Sequence, residues 1–194
     1  MSPEHPFPAA SDALDQVWFA LSETTPGPLL LGGDSAGANL ALTLVQRLRD
    51  SQERQPDGLL LISPWLDLAF DREVDSELVD RDPMLTPDWL ANCARAYAGT
   101  TPLRDPRLSP LNGDLAGLPP LLVQVGTDDV LAPDSHRVVS AVRQAGGEAR
   151  LQIGENMWHD YVLHVGLLSA ADLAADAAVE FIAEATSART PSRS

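Results

Sequence analysis

Three short apolar runs limit what this chain can fold into: Leu29-Leu30-Leu31, Leu59-Leu60-Leu61-Ile62 and Leu121-Leu122-Val123-Gln124-Val125. Each is too short for a core helix. Thr25-Pro26-Gly27 and Gly32-Gly33 bound the first, and Pro119-Pro120 and Gly126 bound the third. Runs of this kind read as strands covered on both faces, the mark of a parallel sheet. Arg150-Leu151-Gln152-Ile153 instead alternates, which predicts one wet face and a place near the sheet edge. Helical spacing fills the intervals. Leu14, Val17, Trp18 and Leu21 mark a first helix, with Ser11 or Asp12 as its cap. A second runs from about Ser35, with Leu40, Leu44 and Leu48 inward and Arg47, Arg49 and Asp50 outward. A third, about Asp134 to Ala145, carries Val138, Val139 and Val142 and stops at Gly146-Gly147. The last opens at Ser169, with Asp172 at capping-box spacing. Strands alternating with helices predict an α/β fold: a parallel sheet of about four strands, joined by right-handed crossovers and flanked by helices.

Between Trp65 and Pro110 the pattern turns irregular and rich in Asp and Pro. It holds one clear helix. Thr86 suits its N-cap, Pro87 the first helical position and Asp88 the positive helix start. Trp89, Leu90, Cys93, Ala96 and Tyr97 form its apolar side, and Gly99 ends it. We expect one domain over residues 1–186, an insertion or partial cap at about 66–110, and a disordered polar tail at 187–194. A length of 194 residues and a hydrophobic fraction of 44% suit one compact core.

A formal net charge of −15 opposes nucleic acid and anionic membranes, whose phosphates it repels. No apolar stretch approaches the roughly 18 residues of a membrane span, and the amino terminus lacks a basic region followed by an apolar run. The single cysteine, Cys93, has no internal disulfide partner and reads as a packing residue. These features predict a soluble, cytoplasmic chain.

The chemistry lies in Gly33-Asp34-Ser35-Ala36-Gly37. A nucleophilic serine needs a sharp strand-to-helix turn that exposes its hydroxyl at the carboxyl edge of a sheet, with small neighbours that let the backbone pass. Here the pattern sits between a buried strand and an amphipathic helix. Serine also needs a base, and the base an orienting acid. His5 precedes the serine, the wrong order for this architecture, and His136 falls in the first turn of a helix, facing solvent. His159, in Asn156-Met157-Trp158-His159-Asp160, follows the last strand at the correct edge, with His164 as its only rival. For the acid, Asp128 and Asp129 both follow the third strand, and spacing does not choose between them.

The segment Gly33 to Asn39 resembles the nucleophile motif of the hormone-sensitive-lipase-like branch of α/β-hydrolases. The run Pro3 to Ala10, Ser63-Pro64-Trp65, Asp82-Pro83-Met84, Ser109-Pro110-Leu111 and Leu118-Pro119-Pro120 are similar to further segments of that branch. Met157-Trp158-His159 is similar to the histidine loop of its bacterial short-chain esterases and lactone hydrolases. The resemblance implies an α/β-hydrolase fold and cleavage of small acyl esters or lactones. It implies a triad of Ser35, Asp129 and His159, with the Ala36 N–H as an oxyanion donor and no metal or organic cofactor. It places Asp129 rather than Asp128 as the acid, because Asp129-Val130-Leu131 takes the place of the family's Asp-Pro-Leu-like turn. The family's upstream His-Gly-Gly-Gly motif, a source of oxyanion amides, is not present. We therefore expect a truncated or misassigned start, with only the carboxy-terminal half of the sheet present. We also expect an open edge at Leu29 to Leu31 that could pair with a second copy. The competing expectation is a non-catalytic protein that binds a small apolar ligand, as a plant hormone receptor of the branch does.

Overall fold

The computed structural model describes residues 2–70 and 76–187. Four strands, β1 (Leu30–Asp34), β2 (Gly58–Ile62), β3 (Leu121–Gly126) and β4 (Ala149–Gly154), form one parallel sheet in the order β1-β2-β3-β4. The register pairs Leu31 with Leu59, Leu59 with Leu121, and Leu121 with Ala149. All four carboxyl ends therefore reach one edge of the sheet.

Alternation along the strands sorts side chains between two layers. Leu59, Leu61, Leu121 and Val123 meet Ala38, Ala41, Leu42 and Val45 of helix α2 (Ser35–Asp50) and Val138, Val139 and Val142 of helix α5 (Ala132–Gln144). Helix α6 (Ser169–Ser187) covers the opposite face, where Phe181 and Ala185 crowd Gly58 and Gln124 Nε2 donates to the Ala174 carbonyl at 2.6 Å. Helix α1 (Ala9–Thr24) packs Trp18 on Leu44 and Leu48 of α2. Burial of each such side chain stabilises the fold by about 1.5–3 kcal/mol.

The segment between β2 and β3 contains α3 (Ser76–Arg81) and α4 (Pro87–Ala98), one short helix more than the spacing predicts. Thr86 caps α4 by accepting from the Trp89 N–H. Three expectations need correction. Helix α1 starts at Ala9 behind Pro8, so Ser11 is not its cap but a buried residue whose Oγ lies 3.4 Å from Tyr97 Oη. Helix α5 starts at Ala132, because Leu131 already takes helical angles. Strand β1 is not buried on both faces, since Leu30 and Leu31 stay partly exposed, while its pairing among the described residues, with β2 alone, is that of the open edge the sequence leads one to expect. The expected tail at 187–194 lies outside the described residues except for Ser187, which ends α6. Among the described residues no helix is long and apolar enough to cross a membrane.

Candidate active site

Strand β1 delivers Ser35 at its carboxyl end, in the turn that becomes α2. Ser35 has φ 50°, a left-handed backbone that costs a non-glycine residue energy and persists only where its surroundings impose it. The turn is so tight that a Cβ on Gly33 would lie 2.4 Å from the Gly37 backbone. Asn39, one turn into α2, donates from Nδ2 to the Trp65 and Leu108 carbonyls, both at 2.8 Å, and ties the helix start to the segment after β2. The Ala36 N–H lies in the first turn of α2, where amides lack intrahelical acceptors.

Strand β3 ends in Gly126, against which the histidine loop is pressed: a Cβ here would sit 2.0 Å from the Met157 carbonyl oxygen. The two loops are stitched together. The Asp128 N–H donates to the Met157 carbonyl at 2.9 Å and the Asn156 N–H to Thr127 Oγ1 at 2.8 Å. Asp82, reaching in from the segment between β2 and β3, accepts the Val130 N–H at 3.0 Å.

These contacts set Asp129 and His159 side by side. Asp129 is fully buried, with Oδ1 accepting from the Leu131 N–H at 2.8 Å and Oδ2 lying 3.2 Å from His159 Nδ1. On the other side of the ring, His159 Nε2 is 3.0 Å from Ser35 Oγ. The structure thus brings Ser35, His159 and Asp129 into one hydrogen-bonded row. Asp128 turns away toward Arg81, 3.4 Å distant. His136 is exposed on α5, and His164 bonds the Tyr161 carbonyl and packs its ring edge-on to Trp158. A further carboxylate, Asp160, stands 3.2 Å from His159 Nε2. Burial works against a charged imidazole, but the Asp129 and Asp160 carboxylates outweigh it and push His159 up to about 10.

A cavity of about 740 Å³ opens on Ser35 and Ala36. Asn39, Leu40, Trp65 and Leu68 line one part, and Trp89, Cys93 and Tyr97 of α4 another. Burial raises the Tyr97 phenol above its ordinary value, more than its contact with Ser11 lowers it, so it remains a neutral group there. Sequence reasoning misses two features of this wall. His5 stands at the cavity despite its wrong order for a base, and Cys93, which reads from the sequence as a packing residue, faces the cavity from α4 as well as packing against the buried cluster around Leu90 and Ala94. Asp160 was legible only as a carboxylate adjacent to the histidine.

Residues 1–163 match the alpha/beta hydrolase fold family, and the chain belongs to it. Among its relatives, an esterase of Acinetobacter venetianus is 39% identical over 165 residues, which is 83% of this chain and 54% of the relative. An acetyl-hydrolase of Streptomyces hygroscopicus is 37% identical over 186 residues, 95% of this chain and 62% of the relative. A crystal structure of a hormone-sensitive lipase from a metagenome library superposes with a TM-score of 0.90 at 31% identity, covering 96% of this chain and 63% of that one. The chain therefore spans little more than half the length of the curated relatives it matches.

Proposed function

We propose that this chain carries the nucleophile, base and acid of a serine hydrolase that cleaves carboxylic esters through an acyl-enzyme. One observation carries the reading: Ser35 Oγ, His159 and Asp129 stand in a row, at 3.0 and 3.2 Å, and Ser35 lines an apolar cavity. Ser35 attacks the ester carbonyl while His159 Nε2 takes its proton. The same proton passes to the leaving alkoxide as the tetrahedral intermediate collapses. Asp129 accepts from Nδ1–H, which fixes the tautomer and offsets the charge of the imidazolium. Water then repeats the sequence and releases the acid. The Ala36 N–H is one donor to the oxyanion, at the positive end of α2. The cavity walls of Leu40, Leu68, Trp65 and Trp89 suit small apolar acyl esters or lactones. The names of the esterase and acetyl-hydrolase relatives support the same chemistry.

The reading extends to a cytoplasmic setting, supported by a lone free thiol at Cys93. It also extends to self-association through the β1 edge, supported by half-exposed Leu30 and Leu31. Size-exclusion chromatography with light scattering distinguishes a dimer from a monomer. The test of the catalytic reading is hydrolysis of a chromogenic acetyl or butyryl ester by the chain and by Ser35→Ala. Turnover above the buffer rate that disappears in Ser35→Ala is expected; equal turnover by both overturns the reading.

A further inference from the structure

Asp160 stands on the wrong side of His159 for a triad acid. Its Oδ2 lies 3.2 Å from Nε2, the nitrogen that also faces Ser35 Oγ at 3.0 Å. The position is built rather than incidental. Asp160 takes a left-handed backbone at φ 55° and is buried. Its N–H donates to Ser63 Oγ at 3.0 Å, at the end of β2, and its carbonyl accepts from the Leu163 N–H at 3.0 Å. Its second carboxylate oxygen, Oδ1, is buried with no hydrogen-bond partner among the described residues.

The donor and acceptor inventory makes this arrangement consequential. Asp129 holds a hydrogen on Nδ1, since an ionised carboxylate only accepts. If Nε2 carries a lone pair, that lone pair faces the Asp160 oxygen and the two repel. If Nε2 carries a hydrogen, Asp160 and Ser35 Oγ both accept it. The other charged and titratable groups nearby do not offset this pair: Asp128 is engaged with Arg81 at 3.4 Å, and His164 with the Tyr161 carbonyl at 3.2 Å.

We infer that Asp160 is a second carboxylate acting on His159, competing with Ser35 for the Nε2 proton and setting how alkaline the solution must be before Ser35 becomes a nucleophile. The inference builds on the proposed serine chemistry. In the resting state Nε2–H is held between Asp160 Oδ2 and Ser35 Oγ. Hydroxide removes that proton as water, leaving a lone pair on Nε2. Only then does Nε2 accept the Ser35 proton as Oγ bonds to the carbonyl carbon. Asp160 takes no part in bond making and acts by holding the proton at His159 Nε2. Opposing it to Ser35 makes the acid limb of the rate profile a property of this loop.

The experiment is an NMR titration of the His159 ring nitrogens in the full chain, beside Asp160→Asn and Asp160→Gly. Asparagine and glycine are the residues that best accept the backbone angle at this position. The same samples are labelled with a fluorophosphonate across the pH range. Wild type is expected to keep the imidazolium well past neutrality. Both variants should lower the titration midpoint by at least one pH unit, a tenfold change in proton affinity, and label several-fold faster than wild type at pH 7. An unchanged midpoint in both variants overturns the inference. A shifted midpoint with no labelling at any pH upholds the Asp160 role and removes the serine-hydrolase reading, so the two failures are distinguishable.

Discussion

Strands β1 and β3 both end at the candidate site, yet they are built in opposite ways. All six residues of β3 are buried, and neighbours pair with it on both sides. The loop that follows is held by Thr127, Asp128 and Asp82. Strand β1 is paired on one side only among the described residues and is buried at none of its five positions. What fixes Ser35 is local: a tight glycine turn and the Asn39 bonds at the start of α2. Asp129, the proposed acid, thus follows an interior strand, with the His159 loop pressed against the end of that strand at Gly126, while Ser35, the proposed nucleophile, rests on a turn at the margin of the sheet. The arrangement separates what must be stiff from what must be exposed. Orientation of an imidazole by a carboxylate needs fixed geometry, whereas a nucleophile has to face the substrate.

The largest effect that can break this comparison is expected at Asp129, the proposed acid. Asp129→Asn should lower kcat for a short-chain ester by about 10⁴, the scale of losing the correct tautomer. Asp128→Asn, which weakens the contacts with Arg81 and Thr127 Oγ1 but touches neither His159 nor Ser35, should change it less than about tenfold, in line with the small worth of an ion pair whose arginine is exposed. The reverse ranking would place the acid one residue earlier.

Gly126→Ala comes next. Its Cβ meets the Met157 carbonyl, so the histidine loop must move away from β3. A misplacement of about 1 Å at a reacting group costs about 10²-fold in rate. The stopped assay should show a loss of that order, with the Tm also lowered. An unaltered rate would mean that the close approach does not position His159.

The contrast between centre and margin is sharpened by stability. Leu122 on β3 is 3% exposed, and Leu122→Ala should cost about 2–5 kcal/mol in urea unfolding. Leu30→Ala, at a half-exposed margin position, should cost clearly less. Equal costs would show that the β1 edge is covered in solution, most simply by a second copy.

The smallest expected effect is the pH dependence of stability. His159 is raised in the folded chain to about 10 from an ordinary 6.5. The stability it contributes is therefore complete below about 6.5 and is lost as pH rises through about 10. Replacing His159 with Gln should flatten that decline in denaturant melts taken at successive pH values. An identical slope in wild type and variant would remove the coupling.

How much of this the sequence reveals depends on the physical cause at each position. The turn at Ser35 is legible because the close backbone approach leaves no room for a Cβ at Gly33, and the runs on both sides carry strand and helix periods. The placement of His159 is legible because chain order and strand direction put it at the same edge. Spacing does not separate Asp128 from Asp129, since the choice rests on a turn bonded across to Met157 from another strand. The open edge at Leu29 to Leu31 is expected from the sequence, but the partial exposure of the Leu30 and Leu31 side chains is not, because an apolar run shows a demand for burial but not what meets it. Asp160 lies beside the histidine in plain sight, yet its reach to Nε2 comes from a left-handed backbone that residue type alone does not specify.

The central claim is that Ser35 is the nucleophile of this row. It is tested most directly by treating the chain with a fluorophosphonate at alkaline pH and locating the adduct by peptide mass spectrometry. The account predicts one adduct, on Ser35, absent from Ser35→Ala and strongly reduced in His159→Gln. An adduct on another residue, or on Ser35 at the same rate without His159, would contradict it.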